Sequence, residues 1–541
     1  MLFRKFHQES KTIAGAAILV GAFSLLSRMM GFVRDRILAG TFGAGDVLDV
    51  YYAAFKVPDF LFGVLVIGAL SASFIPLFTK HYDREVDREA AWRLTNNALH
   101  LTFFGAVIAS VLLFFWLDPL AALIAPGFPP AKRQLVANWT GIMLAAQLLL
   151  AGSMVFGSVL QARKRFFFYA SAPILYNVGI IAGSLWLVPA LGPVGLAWGV
   201  VLGAALHALV QLYGAAQAGY RYRFVCDPRQ RETRDMFRLM GPRMLGIAMA
   251  QVNVVCLTVM ASWLAAGSVT IFTFAYNVQF FPVGIVGVAY AVAAFPMLAE
   301  HAGRDHLERF VSVLSSTVRQ MLFLLIPLTL LFLIFRAQLI RLVVGAGKFG
   351  WEETILASDA LAFFALSLFS QSLVFLIARA HFALRDTLTP CLAGLVSLVV
   401  NVLASLVFAP RFGIAGFALA FSISSMVNLA LLWVPLRVRL GSLEELSIVQ
   451  SLYRMTAAGL GAGIVMQLLK PVTVYVFPLE TFVAVFIQIT FAGGVGMVAY
   501  AALAFFLKSP EMTDLTASLH ARLFRRACPT ETVPSEPSAT A

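Results

Sequence analysis

Eight charged side chains fall close together near the start of the chain: Arg28, Arg34, Asp35 and Arg36 in one apolar stretch, Asp46, Asp49, Lys56 and Asp59 in the next. A charge at the centre of a bilayer costs about 2.5 to 3.5 kcal/mol even on lenient insertion scales, so such residues face a wet cavity or a partner. Guanidinium forks match phosphate and carboxylate oxygens, and Arg28, Arg34 and Lys56 together make a cationic surface suited to an anionic ligand. Asp35 and Arg36 could equally pair locally or snorkel at a membrane face. An unbroken helix would splay Arg28 and Arg34 around its axis, and Met29-Met30-Gly31-Phe32 is where a break would let both face one cavity. Asp46 is expected to cap the second helix, and Asp49, one turn on, to pair with an arginine.

Other chemistry is poorly supported. Gly345–Gly350 (GAGKFG) lacks the Walker spacing and reads as a loop, and His207, alone in an apolar span, reads as a packed residue. Asp359 and Arg454 are candidates for a pair in the second half of the chain. Cys226, Cys256, Cys391 and Cys528 are too dispersed for a disulfide framework or a zinc site. No carboxylate pair or Ser/His set stands where a membrane enzyme would need one.

The elements that must carry these charges are membrane spans. Of 541 residues, 60% are hydrophobic and 12% charged, and mean hydropathy is +0.85, which excludes an ordinary soluble globule. Long apolar runs exclude the alternation of a β-barrel. About 14 helices are expected, among them 13–40, 47–79, 237–265, 268–299, 353–379 and 478–507, with Gly31, Pro58 and Pro282 as bend points. The first of these resembles a signal peptide but has no closing cleavage site and is read as a retained span.

With the N-terminus inside, the inner segments hold roughly 25 Lys/Arg against about 6 outside, which places both termini in the cytoplasm. That asymmetry accounts for most of the net charge of +13 without any nucleic-acid partner. The tail ending PTETVPSEPSATA is expected to be partly disordered.

The chain also repeats itself. Leu160–Pro173 (LQARKRFFFYASAP) matches Leu376–Pro390 (LIARAHFALRDTLTP), each followed by an apolar span and a Gly-x-x-Gly turn, and GAGD at Gly43–Asp46 matches AAGS at Ala265–Ser268. The offset holds at about 216 to 222 residues. The fold class is therefore all-α and polytopic: two six-helix lobes related by an axis along the membrane normal, plus two C-terminal helices. The organisation reads as an N-terminal lobe over 1–217, a cytoplasmic linker over 218–236, a C-terminal lobe over 237–440, helices 13 and 14 over 441–507 and a tail over 508–541.

Specific strings carry a resemblance. SRMMGFVRD (Ser27–Asp35), TFGAGDVLDVYYAAFKVPDF (Thr41–Phe60), GALSASFIPLF (Gly68–Phe78), FPVGIVGVA (Phe281–Ala289) and ARAHFALRDTLTP (Ala378–Pro390) resemble the MurJ/MviN family, within the multidrug/oligosaccharidyl-lipid/polysaccharide exporter superfamily. The resemblance implies a lipid II flippase of the bacterial inner membrane, serving peptidoglycan synthesis by alternating access, with a lipid-facing groove on the last two helices. It implies lipid II and membrane lipids as partners, leaves cell-wall synthesis proteins open as further ones, and calls for no cofactor. Dependence on membrane potential or a coupling ion stays open.

Residue by residue, the family's cavity arginines fall on Arg28 and Arg34 and its second-helix aspartate on Asp49. Two positions depart from the pattern: Phe62 and Gly63 stand where the family often has an arginine pair, and Ala275, Tyr276 and Asn277 stand for Ala-Asp-Arg. Lys56 and Asn277 complete the candidate binding set with Arg28, Arg34 and Asp49. Another polyprenyl-linked oligosaccharide flippase, a drug antiporter of the superfamily and a non-transporting cell-wall scaffold are the alternatives.

Overall fold

A backbone in lipid must satisfy its own hydrogen bonds, and this chain does so with helices throughout the described residues. The computed structural model describes residues 13–63, 74–82, 87–230, 233–234, 248, 251–303, 306–476, 481–513 and 516. The expected helix over 237–265 is described only in its C-terminal part, and residues 64–73 of the second span, the basic N-terminus and most of the tail lie outside the described residues.

In chain order the first helices are α1 (Ile13–Phe42), α2 (Asp46–Ala54), α3 (Lys56–Phe62), α4 (Phe74–Tyr82), α5 (Arg88–Phe115), α6 (Leu117–Ile124), α7 (Pro130–Ala162), α8 (Phe166–Ala182), α9 (Val188–Leu191) and α10 (Gly195–Gln217). Then come α11 (Gln251–Ala261), α12 (Ser268–Pro282), α13 (Ala289–Glu300), α14 (Leu307–Ile334), α15 (Arg336–Val344), α16 (Trp351–Ala365), α17 (Leu368–Ala383), α18 (Leu388–Phe412) and α19 (Ile414–Leu440). The last are α20 (Glu445–Val476), α21 (Phe482–Gln488) and α22 (Gly494–Phe506).

Among the described residues nine helical runs are long and apolar enough to cross a membrane. One of them, Phe166–Gln217, doubles back on itself at Gly192, whose φ of 73° suits glycine. Its two limbs touch backbone to backbone: a Cβ on Gly179 would stand 2.2 Å from the Cα of Gly203. Small residues at such a crossing let packing alone hold the helices, where lipid provides no hydrophobic drive. A further span is the pair α16–α17, bent by 47°.

The bends follow from local chemistry. Pro58 cannot donate to the carbonyl of Ala54, so the second span breaks at Phe55 and the freed carbonyl accepts from the hydroxyl of Thr140 at 3.2 Å. After Pro282 the helix widens into a π turn over Val283–Val288. Gly31 is a correction: α1 runs unbroken for 30 residues, because a single glycine inside a long helix leaves every backbone bond in place.

The internal repeat recurs in the backbone. Left-handed residues at Lys164, Gly192 and Gly219 return at Arg385, Gly413 and Gly441, 221 or 222 residues later. Helices of 13–217 pack largely on one another, as α7 and α8 do on α10, and those of the second half likewise, as α16 and α18 do on α19. The pair α20 and α22 packs on α14 and on itself.

Candidate functional site

The two halves meet along a seam at the ends of α1, α2, α7, α12 and α15. Asp49 is its centre. With 1% of its surface exposed, its carboxylate accepts from the backbone N–H groups of Gly267 (2.7 Å) and Thr270 (3.0 Å) and from the Thr270 hydroxyl (2.8 Å), all at the start of α12. A carboxylate at a helix N-terminus meets unpaired N–H groups and the positive end of the helix dipole. Its other partner is Lys132, whose Nζ lies 3.0 Å from Asp49 and 2.6 Å from Asp46, over the ring of Phe128.

Two sequence expectations are corrected here. Asp49 pairs with a lysine from α7, because α7 starts at the Pro129-Pro130 corner and its first turn faces α2. Asp46 is the first residue of α2, not its cap; Gly45 holds the cap position, and the Asp46 side chain turns to Lys132.

Around this pair the seam is built from backbone. Lys348 N–H donates to the carbonyl of Gly40 at 3.0 Å, and Gly127 N–H to the Ser262 hydroxyl at 3.1 Å. A Cβ on Gly347 would stand 2.3 Å from the Gly40 carbonyl oxygen, and one on Gly267 would stand 2.4 Å from that of Ala44. Arg36 donates to the carbonyls of Arg341 (3.1 Å) and Leu342 (3.0 Å) near the end of α15, where cations are favoured, and stacks on Phe482 of α21.

Below the seam lie the remaining charges of α1 and α3. Arg34 is not a free cation: its Nε and Nη2 bond one oxygen of the buried Asp35 at 3.0 and 2.8 Å, and its Nη1 bonds Asn177 of α8 at 3.1 Å. The other oxygen of Asp35 accepts from Asn277 of α12 at 3.1 Å. Asn277 thus links the halves through Asp35. Arg28 differs. Its guanidinium lies against Gly284, where a Cβ would stand 2.3 Å from Nη2, and near the Phe280 ring at 6.0 Å, with no hydrogen-bond acceptor among the described residues.

Lys56 is half-buried and Asp59 exposed, and neither side chain has a hydrogen bond or ion pair among the described residues. Phe62 is half-buried at the end of α3. The unbroken α1 does not turn Arg28 and Arg34 to one side: Arg28 addresses the second half and Arg34 the first.

Lys132, Asn177 and Thr270 were invisible as functional residues. Lys132 read as one of a few loop cations, and Thr270 carries no charge. Asn177, the lone amide in the apolar Phe166–Ala182, was the one available signal. Elsewhere, Asp359 pairs with Arg336 at 3.5 Å and Arg454 donates to the Lys508 carbonyl, so those two are not partners. His207 is a packed residue bonded to the Ser153 hydroxyl at 2.7 Å.

A family model described as lipid II flippase MurJ matches residues 38–487. The chain belongs to the MurJ lipid II flippase family. Among MurJ relatives, the probable lipid II flippase MurJ of Vibrio cholerae serotype O1 is 28% identical over 444 residues, covering 80% of this chain and 84% of that protein. The lipid II flippase MurJ of Burkholderia cenocepacia is 28% identical over 433 residues, covering 78% and 84%. A solved lipid II flippase MurJ in an inward closed conformation shares the fold with a TM-score of 0.72 at 20% identity, over 92% of this chain and all of that one. An inward-facing multidrug resistance MATE family transporter of the MOP superfamily shares it with a TM-score of 0.66 at 15% identity, over 79% and 99%. This MurJ-family chain is thus a multi-pass membrane transporter of all-α fold.

Proposed function

We propose that the protein moves lipid II from the inner to the outer leaflet of a bacterial inner membrane by alternating access, with both termini cytoplasmic. The observation that carries this reading is Arg28: a guanidinium with no hydrogen-bond acceptor among the described residues, set against Gly284 of the second half. A diphosphate is the ligand such a fork fits. Asp59 is exposed and Lys56 half-buried while the seam is closed, which supports an opening on the far side of the seam. The Lys/Arg asymmetry puts the seam at the outer face and the opening at the cytoplasmic one.

Asp49 and Asn277 serve this cycle by holding the halves together, and Arg34 by fixing Asp35 between them. Movement of an anion outward across an inside-negative membrane gains about 2.3 kcal/mol per charge per 100 mV, which supports membrane potential as a driving force. Cell-wall synthesis proteins are candidate partners.

The test is rescue of a bacterium depleted of its own lipid II flippase. The chain should restore growth, and Arg28→Ala should abolish rescue while reaching the membrane at the normal level. Growth restored equally by Arg28→Ala would remove the cavity from the mechanism.

A further inference from the structure

Lys56 and Asp59 lie one turn apart on α3, at a spacing that ordinarily lets a lysine and a carboxylate pair. They do not: among the described residues neither forms an ion pair or a hydrogen bond, with each other or with any other group. Lys56 is half-buried and Asp59 exposed, yet both are set among protein, near enough to attract each other without pairing, with Arg34, Tyr51 and Tyr176 as further electrostatic neighbours of Asp59. Such a pair holds a positive and a negative site side by side without joining them.

This arrangement is unsuited to a diphosphate, because Asp59 cancels much of the attraction Lys56 would exert on a polyanion. Arg28 has no such companion. At 1.5 Å per residue Arg28 lies about 20 Å along α1 from the seam, and the Lys56–Asp59 turn about 15 to 20 Å along α2 and α3, so the two sites share a depth. Both belong to the first half, Arg28 on α1 reaching against Gly284 of the second half and the pair on α3.

We propose that Lys56 and Asp59 read a zwitterionic α-amino acid end group on the peptide of the transported lipid, Lys56 taking its carboxylate and Asp59 its ammonium, while Arg28 takes the diphosphate. The inference rests on the lipid II reading and adds a specificity site to it. A ligand that supplies both charges neutralises both side chains at once, whereas one with either charge blocked leaves a partner desolvated and unmatched.

Transport into reconstituted vesicles tests it with two lipid-linked precursors. One has a stem peptide whose side chain ends in a free α-amino acid; the other is the same molecule with that carboxylate amidated. The wild-type chain should move the first about tenfold faster, the factor that one lost charge-assisted contact produces. Lys56→Gln and Asp59→Asn should each bring the ratio below about twofold, and the reversed pair, Lys56→Asp with Asp59→Lys, should restore most of it.

Because the ratio is taken within each variant, the amount of folded protein cancels. A wild-type ratio near one overturns the zwitterion site by itself, even should every variant fail to insert, and leaves the flippase reading standing. Movement of neither precursor by the wild-type chain overturns both.

Discussion

Arg34 and Asp35 are neighbours in sequence that share one ion pair, and the carboxylate is nearly inaccessible, at 2% exposure. Taking away one member of such a pair strands the other, at a cost of about 3 to 5 kcal/mol, whereas taking away both can be close to neutral. Arg34→Ala is therefore expected to lower thermal stability in detergent markedly, and Arg34→Ala combined with Asp35→Ala to lower it less. If the double variant melts below the single one, the pair is not what holds that region. Asn277→Arg should be tolerated in the rescue assay, because the acceptor that Asn277 now serves is a carboxylate that takes a guanidinium equally well. The sequence made these residues conspicuous as charges in apolar stretches. Their partners were hidden, since partner choice depends on how neighbouring helices are rotated. Lys132 shows this: nothing in its own surroundings points to Asp49, 83 residues away.

The helices themselves were largely legible, because apolar length is the requirement a bilayer imposes. Pro58 was legible as a break for the same kind of reason, a missing N–H with a definite effect one turn back. Gly31 misled because glycine permits a bend without requiring one. The 47° bend between α16 and α17 has no proline to announce it, and was missed within the expected 353–379. Two glycines make testable demands at this scale. A side chain at Gly203 would meet the carbonyl of Tyr176 at 2.5 Å, backbone that cannot yield, so Gly203→Leu should pry α8 from α10 and destabilise by about 3 kcal/mol, read as a lower melting temperature. The nearest atoms a methyl at Gly284 would meet belong to the flexible end of Arg28. Gly284→Ala should leave melting unchanged and cut transport about tenfold by displacing the guanidinium, and a loss of stability instead would show the glycine to be structural.

For the molecule as a whole, the seam is a place where closing and opening can be locked. A Cβ on Gly40 would stand 3.3 Å from that of Ala346, close to the 3.5 to 4.5 Å that disulfides favour. In a background lacking the native cysteines, Gly40→Cys with Ala346→Cys should cross-link under oxidation, stop rescue and regain it on reduction. Full transport by the cross-linked protein would mean that the halves need not part there. The repeat made two such halves legible from sequence, but not which ends of them touch, since the contact is formed mainly by backbone atoms that every residue type supplies.

The make-up of that seam bears on what voltage can do to the protein. The charged side chains that form its hydrogen bonds, Arg36, Asp46, Asp49 and Lys132, all belong to the first half and sum to zero. What they and the glycines grip on the second half is peptide N–H, carbonyl and hydroxyl. On the alternating-access proposal, parting these contacts separates a set of four first-half charges that already balance one another, so the resting potential is expected to act mainly on a charged ligand and less on the contact itself.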